Sequence, residues 1–163
     1  MTLLRRLLRA LQPDRPTPVL PYPGLMPTYF FTRTINEEHT GMYEITKDFH
    51  FSASHQLAGL PDDHPCARLH GHNFIVRIHL AAAHLTPVGF VVDYRDLAPF
   101  SEWLDTSFDH RHLNDRVDFN PTAENMCRYL LTVARQDFHL PAVAVSWSET
   151  PKTWATYRQE VQA

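Results

Sequence analysis

Two segments of the chain alternate apolar and polar residues with a period of two, which is the pattern of a half-buried β-strand. The first segment runs from about Tyr43 to His55 and the second from about Gly71 to Ala82. Residues two apart in a strand project to the same face. Each strand is therefore expected to bury one apolar face, formed by Phe49, Phe51 and Ala53 in the first and by Phe74, Val76 and Ile78 in the second.

Three histidines continue these apolar faces. His55 is in phase with the first strand, and His70 and His72 are in phase with the second. If the two strands pair as neighbours, the three imidazoles converge. Three protein ligands with one open position is the usual arrangement of a catalytic zinc site, whereas structural zinc sites are closed with four ligands. A lone His-x-His is more often a pair of ordinary histidines, but the third histidine and the nearby Cys66 favour a zinc site.

The rest of the domain contains two helical patterns and two more strands. The first helical stripe has Pro99 in its first turn, and Asn120-Pro121 predicts the start of the second helix. Strands are expected from Ala142 to Thr150 and from about Thr153 to Gln159. The order of two strands, two helices and two strands predicts an α+β fold, an antiparallel four-stranded sheet with the two helices packed on one face.

A carboxylate ends the apolar face of the third strand. Glu149 shares that face with Val143, Val145 and Trp147. Such a position is costly for a carboxylate unless a cation or hydrogen-bond donors pair with it. Glu149 is therefore a candidate ligand anchor, although an exposed glutamate at the end of a strand is the simpler alternative.

Residues 1–41 differ from the domain, which is predicted to span 42–163. Leucines at helical spacing alternate with arginines over Met1 to Gln12, and six prolines follow between Pro13 and Pro27. Proline at this density excludes regular helix and favours an extended linker. We expect an N-terminal extension that is poorly ordered, with Met42 as an alternative start. A short amphipathic helix that docks on a partner, a membrane surface or the domain is the other interpretation.

Composition narrows the classes of function. The formal net charge is −3, which gives no basic footprint for nucleic acid, so no nucleic-acid partner is expected. No apolar run approaches the ~20 residues that span a bilayer, so no membrane partner is expected. Two cysteines do not make a disulfide framework, which indicates a reducing compartment and a cytoplasmic location.

Several short motifs combine histidines, a cysteine, carboxylates and an Asn-Pro pair: His55, Cys66-x-x-x-His70-Gly71-His72, Asp109-His110, Asn120-Pro121-Thr122 and Glu149-Thr150. Their order and spacing resemble the 6-pyruvoyl-tetrahydropterin synthase and 6-carboxy-tetrahydropterin synthase family over about Tyr43 to Tyr157. The three-residue gap after Cys66 resembles the 6-carboxy branch. Related proteins of folate synthesis carry a glutamate in or beside the cysteine position, and none lies between Gln56 and His72 here.

The resemblance implies a fold, an assembly and a reaction. The fold is the tunnelling fold, or T-fold, assembled into homo-hexamers from two trimers. The implied cofactor is Zn²⁺ and the implied substrate is dihydroneopterin triphosphate. The implied product is 6-carboxy-5,6,7,8-tetrahydropterin, a precursor of 7-deazapurines such as queuosine, with release of acetaldehyde and triphosphate.

The resemblance also implies a role for each matching residue. The zinc ligands would be His55, His70 and His72. Cys66 resembles the general base of the family, and Asp109 would orient His110 to relay a second proton. The pterin ring would be anchored by Glu149, assisted by Thr150.

Three alternatives belong to other branches or classes. A 6-pyruvoyl-tetrahydropterin synthase would use the same residues for a different product. A non-catalytic zinc-binding assembly module would need the histidines but neither Cys66 nor the Asp-His pair. A cupin-type metal enzyme also uses His-x-His on a strand, but its motif needs a glutamate soon after, and Phe74 to Ile78 offers none.

Overall fold

Five strands and two α-helices form the part of the chain that the computed structural model describes, residues 41–159. In chain order they are β1 Tyr43–His55, β2 His70–Ala82, α1 Ala98–Phe108, β3 Arg111–His112, α2 Ala123–Gln136, β4 Ala142–Thr150 and β5 Thr153–Arg158. Single 3₁₀ turns lie at Pro65–Ala67, Tyr94–Leu97 and Leu113–Asp115. The predicted N-terminal extension lies outside the described residues, apart from Gly41, and stays a prediction. Within them, no helix is long and apolar enough to cross a membrane.

The strands form one sheet in the order β3-β1-β2-β4-β5. All neighbours are antiparallel except β3, which pairs parallel to β1. The predicted α+β class is confirmed, but the predicted count of four strands was one too low. The additional strand has two residues, Arg111 and His112, within a polar loop. A two-residue edge strand carries no periodic pattern, so the sequence alone did not indicate it.

The pairing of β1 with β2 runs the length of both strands. Tyr43 lies opposite Ala82 at one end, and His55 lies opposite His70 at the other. Directly opposite residues share a face, so the apolar positions of the two strands form one continuous layer. That layer is buried, with Phe74, Val76 and Ile78 at most 1 % exposed.

Both helices cover this layer and leave the other face of the sheet polar. The buried positions of the helices recur at helical spacing: Phe100, Leu104 and Phe108 on α1, and Met126, Cys127, Leu130, Leu131, Val133 and Ala134 on α2. They join the sheet in a single apolar cluster. On the opposite face Arg77 makes a two-point ion pair with Asp48, at 2.7 and 2.8 Å. The helices therefore pack on one face, as predicted.

The helix starts agree with the sequence in one case and differ in the other. Pro99 lies in the first turn of α1, as predicted. The second helix begins at Ala123, so its predicted start at Asn120-Pro121 was wrong by two residues. Thr122 is the N-cap, since its hydroxyl accepts a hydrogen bond from the Asn125 N–H. The Pro121 carbonyl accepts from a histidine of β1 instead.

Phe100 offers a test of this packing. Its ring lies 5.5 Å from that of Phe49 on β1 and 5.4 Å from that of Phe138, and the residue is 1 % exposed. Phe100→Ala should lower the free energy of unfolding by about 3–5 kcal/mol, because it leaves a cavity between helix and sheet. Urea unfolding measures this. The control Val88→Ala, at a residue 73 % exposed, should change it by less than about 0.5 kcal/mol. Equal effects of the two variants would contradict the packing.

Candidate metal centre and active site

The paired ends of β1 and β2 bring three imidazoles together. One ring nitrogen from each of His55, His70 and His72 lies within 4.8 Å of the other two. The Nε2 atoms of His55 and His70 are 3.0 Å apart. These three residues are the group within residues 41–159 whose geometry can hold a metal ion.

Backbone carbonyls orient two of these rings. His55 Nδ1 lies 3.1 Å from the Pro121 carbonyl oxygen, and His70 Nδ1 lies 2.7 Å from that of Arg68. A carbonyl only accepts, so each Nδ1 carries the proton and each neutral ring presents the lone pair of its Nε2. Metal-bound histidines are commonly held in this way by a partner on the second ring nitrogen.

The inward-facing nitrogens are suited to a shared cation. Two Nε2 lone pairs that face each other at 3.0 Å repel, and the Nε2 of His72 is buried without a hydrogen-bond partner among the described residues. An unsatisfied buried polar atom costs about 1–3 kcal/mol. A metal ion accepts all three lone pairs at once, so this donor set fits a metal.

Burial disfavours the protonated form of two of the rings. It lowers the pKa of His55 and of His72 below the ordinary value for histidine, against the opposing effect of the Glu149 carboxylate. A metal competes with protons for imidazole, so a lowered pKa favours metal binding near neutral pH.

Gly71 allows the two strands to approach closely at this point. A Cβ atom at this position would lie 3.0 Å from the carbonyl oxygen of Ala53 on β1. Larger residues would push the strands apart between His70 and His72. The glycine of the His-Gly-His motif therefore has a steric reason that the sequence pattern does not show.

Glu149 lies beside the three histidines. Its carboxylate oxygens are 3.8 Å from His55 Nε2 and 3.9 Å from His72 Nε2. The side chain is 28 % exposed, so one side of the carboxylate faces outward. Thr150 is exposed and its hydroxyl pairs with that of Thr153. Glu149 thus joins the histidine cluster, while the described contacts of Thr150 lead away from it.

Cys66 lies in a 3₁₀ turn, Pro65–Ala67, four residues before His70. Its backbone N–H donates to His64 Nδ1 at 3.1 Å, and its carbonyl accepts from the Leu57 N–H at 2.9 Å. The thiol is free and half-buried. The second cysteine, Cys127, is fully buried, and burial raises the pKa of its thiol to about 11. Of the two cysteines, Cys66 is therefore the one with an accessible thiol.

Asp109 and His110 form a hydrogen-bonded pair, with 2.8 Å between Asp109 Oδ2 and His110 Nδ1. The second carboxylate oxygen accepts from the Ser52 N–H at 2.9 Å, and this bond, with the one from His110, lowers the pKa of Asp109. His110 has a φ of 54°, a left-handed conformation uncommon outside glycine. Its N–H donates to the Ser52 carbonyl oxygen at 2.6 Å, which fixes this conformation.

The Asp-His pair does not join the three histidines within one chain. His110 is 82 % exposed and borders an open basin of about 550 Å³. Ser52, Ser54 and Asn73 also border this basin, and so does His72 of the histidine cluster. The side chains of Ser52, Ser54 and Asn73 project from the face opposite to the three histidines, because the two sets alternate along β1 and β2. The structure brings Glu149 to the histidines, whereas the described hydrogen bonds of Asp109 and His110 lead to the backbone of Ser52 on β1.

Sequence reasoning missed the residues that hold this site in place. They include Gly71, the carbonyl of Pro121, and two asparagines, Asn114 and Asn120, in the loop before α2. The bonds of Pro121, Asn114 and Asn120 join positions 58 to 66 residues apart in the chain. Local patterns carry no information on such distances. The Asn120-Pro121 motif was the one available signal.

Known proteins share this fold and sequence pattern. The family described as 6-pyruvoyl tetrahydropterin synthase matches residues 44–160. The 6-carboxy-5,6,7,8-tetrahydropterin synthase of Bacillus subtilis (strain 168) is 31% identical over 140 residues, covering 74% of this chain and 88% of the relative. A putative 6-carboxy-5,6,7,8-tetrahydropterin synthase of Archaeoglobus fulgidus is 32% identical over 110 residues, covering 67% and 90%.

Solved structures give the same result. The Caenorhabditis elegans 6-pyruvoyl tetrahydropterin synthase aligns with a TM-score of 0.63 and 25% identity, over 74% of this chain and 97% of that one. A Plasmodium vivax 6-pyruvoyltetrahydropterin synthase aligns with a TM-score of 0.59 at 19% identity, over 74% and 99%, and supports the fold. The predicted T-fold is confirmed, and so is the predicted enzyme class, a lyase of the tetrahydropterin synthase type. The chain belongs to the 6-pyruvoyl tetrahydropterin synthase family.

Proposed function

We propose that the protein is a zinc-dependent 6-carboxy-5,6,7,8-tetrahydropterin synthase. It converts 7,8-dihydroneopterin triphosphate to the carboxylated pterin and releases acetaldehyde and triphosphate, as a step towards 7-deazapurines such as queuosine. The observation that carries the proposal is the cluster of three metal-facing imidazoles with a free thiol four residues before His70. The curated relatives named for this activity support it.

The proposed metal is zinc, held by His55, His70 and His72. Imidazole suits several divalent metals, and three histidines with an open position is an arrangement that zinc enzymes use. When bound, zinc supplies a Lewis acid that polarises the side-chain oxygens of the substrate. The apolar layer under the site orients the rings, since Phe74 lies 5.5 Å from His55 and 5.4 Å from His72.

The proposed general base is Cys66. A thiolate removes a proton from the side chain of the substrate, and general bases typically contribute 10²–10⁴-fold. The bonds from Leu57 and to His64 fix the backbone of the turn that carries the thiol. Glu149 holds the edge of the pterin, because a carboxylate can accept two parallel hydrogen bonds from the 2-amino group and ring N–H. Because Glu149 lies beside the histidines, the proposed position of the ring is next to the metal, and Thr150 is the proposed assisting residue.

The proposed second proton relay is the Asp109–His110 pair. Asp109 accepts from the Nδ1–H of His110, which leaves Nε2 free to hold or release a proton. Because the hydrogen bonds of the pair lead to Ser52 and not to its own three histidines, we propose that it acts at the substrate of a neighbouring subunit in a homo-hexamer. The proposed location is the cytoplasm.

A 6-pyruvoyl-tetrahydropterin synthase is the second candidate. It is favoured by the Caenorhabditis elegans structure of that name, which shares the fold at 25% identity. Ring recognition by Glu149 serves both reactions and does not separate them. The position of the Cys66 thiol is expected to separate the two reactions, because near-attack geometry is sensitive at the level of about 1 Å.

Zinc content tests the metal centre. The purified protein should contain about one zinc per chain, and His70→Ala or His72→Ala should lose it, because two imidazoles no longer close the site. Mass spectrometry of the metal measures this. His79→Ala is the control, since His79 lies on the polar face between Glu44 and Ser146. Full zinc occupancy in the variants of His70 and His72 would contradict the assignment.

Product analysis tests the reaction. The zinc-loaded protein is incubated with 7,8-dihydroneopterin triphosphate, and mass spectrometry should find acetaldehyde and 6-carboxy-5,6,7,8-tetrahydropterin. A main product of 6-pyruvoyl-tetrahydropterin would support the second candidate instead. Cys66→Ala should keep its zinc and lose about 10²–10⁴-fold in turnover. The matched control Cys127→Ala should reduce stability and leave turnover close to that of the wild type.

A further inference from the structure

Two asparagines bind the backbone that follows β1 in the same way. Asn114 Oδ1 accepts from the Gln56 N–H at 3.0 Å, and Asn114 Nδ2 donates to the Gln56 carbonyl at 2.8 Å. Asn120 makes the same pair of bonds to Ala58: its Oδ1 accepts from the Ala58 N–H at 3.0 Å, and its Nδ2 donates to the Ala58 carbonyl at 3.1 Å. Each side chain thus satisfies both backbone groups of one residue.

Leu57 lies between Gln56 and Ala58, and its backbone N–H points the other way, towards the turn that carries the Cys66 thiol. The Leu57 N–H donates to the Cys66 carbonyl at 2.9 Å. The side chain of Gln56 adds a bond from Nε2 to the Ala67 carbonyl at 2.8 Å. Residues 56–58 are therefore held from one side by the asparagines and hold the Cys66 turn on the other. The arrangement resembles the middle strand of a three-stranded sheet.

The same loop also reaches the metal-facing histidines. The Pro121 carbonyl, next to Asn120, lies 3.1 Å from His55 Nδ1. The Asn120 carbonyl accepts from the Thr122 N–H at 2.8 Å and from Asn125 Nδ2 at 3.0 Å, which ties this loop to the first turn of α2. One continuous set of contacts thus leads from α2 to His55 and, through residues 56–58, to Cys66.

We propose that Asn114 and Asn120 are positioning residues that set the place of Cys66 relative to the three histidines. They act through the backbone of residues 56–58. The kinetic part of this inference rests on the proposed function, in which Cys66 is the general base. Its structural part does not.

Replacing each asparagine with aspartate distinguishes a hydrogen-bonding role from a steric one. A planar amide offers one acceptor and two donors on adjacent atoms, whereas a carboxylate of the same shape only accepts. Asn→Asp therefore keeps the bond from the backbone N–H and loses the bond to the carbonyl, where two oxygens then face each other. The side-chain volume stays almost unchanged.

The test compares the wild type with Asn114→Asp and Asn120→Asp, each as a full-length zinc-loaded protein. Hydrogen exchange is measured over residues 56–58, and the rate of alkylation of Cys66 by iodoacetamide is followed at pH 7. Cys127 is an internal reference, because it is buried and should stay unmodified in the folded protein. Thr86→Val is the control, since it removes one loop hydrogen bond, from the Phe90 N–H, in a different loop.

In both aspartate variants, exchange over 56–58 should rise by about tenfold, and Cys66 should react several-fold faster. Zinc content should remain about one per chain. Turnover should fall by about tenfold or more in kcat, with KM within about twofold, because a misplaced base affects chemistry more than binding. Thr86→Val should leave the exchange over 56–58, the alkylation rate of Cys66, the zinc content and the turnover as in the wild type.

Unchanged exchange and alkylation in both variants would overturn the proposal. So would exchange that rises equally in all segments, because that result reports global destabilisation. A fall in kcat that is matched by loss of zinc would overturn it as well. If the wild type does not convert the substrate, the proposed function fails, while exchange and alkylation still decide the role of the asparagines.

Discussion

The pairing of β1 with β2 is the constraint on which the candidate site depends. This register places His55 opposite His70 and Ala53 opposite His72, so three imidazoles emerge on one face at one end of the sheet. A shift of one residue in a strand turns its side chains to the other face, which would separate the rings. Gly71 lets the strands approach closely at that end. The long apolar layer behind it fixes the register, because any shift would also expose buried residues.

The candidate functional residues differ in burial and in the elements that carry them. His55 is 1 % exposed, and its ring packs against Phe74, so its orientation follows from the core. Cys66 and the Asp109–His110 pair lie on turns instead, held by hydrogen bonds to the backbone of β1 and the segment that follows it. This division suits the proposed roles, in which metal ligands stay fixed and proton-transfer groups meet a substrate. It also fits the proposal that Asn114 and Asn120 set the position of the thiol through the backbone of residues 56–58.

Much of the scaffold followed from local pattern. The bounds of β1 agree with the strand predicted from Tyr43 to His55, and the phase of His55 follows from the alternation between Phe49 and His55. The two-residue β3 and the start of α2 at Ala123 were missed, because a cap and an edge pairing depend on tertiary contacts. The sequence put Glu149 on an apolar face. Its distance of 3.8 Å from His55 Nε2 is set by the register of β4 against β2, which no local pattern contains.

We propose that three imidazoles hold the metal while the Cys66 thiol stays free to act as a base. X-ray absorption at the zinc edge of the loaded protein distinguishes this arrangement from a thiolate-bound zinc, because nitrogen and sulfur ligands differ in distance and scattering. We expect imidazole nitrogens at about 2.0–2.1 Å, with any further ligand an oxygen. A sulfur ligand at about 2.3 Å would place the thiol on the metal and contradict it.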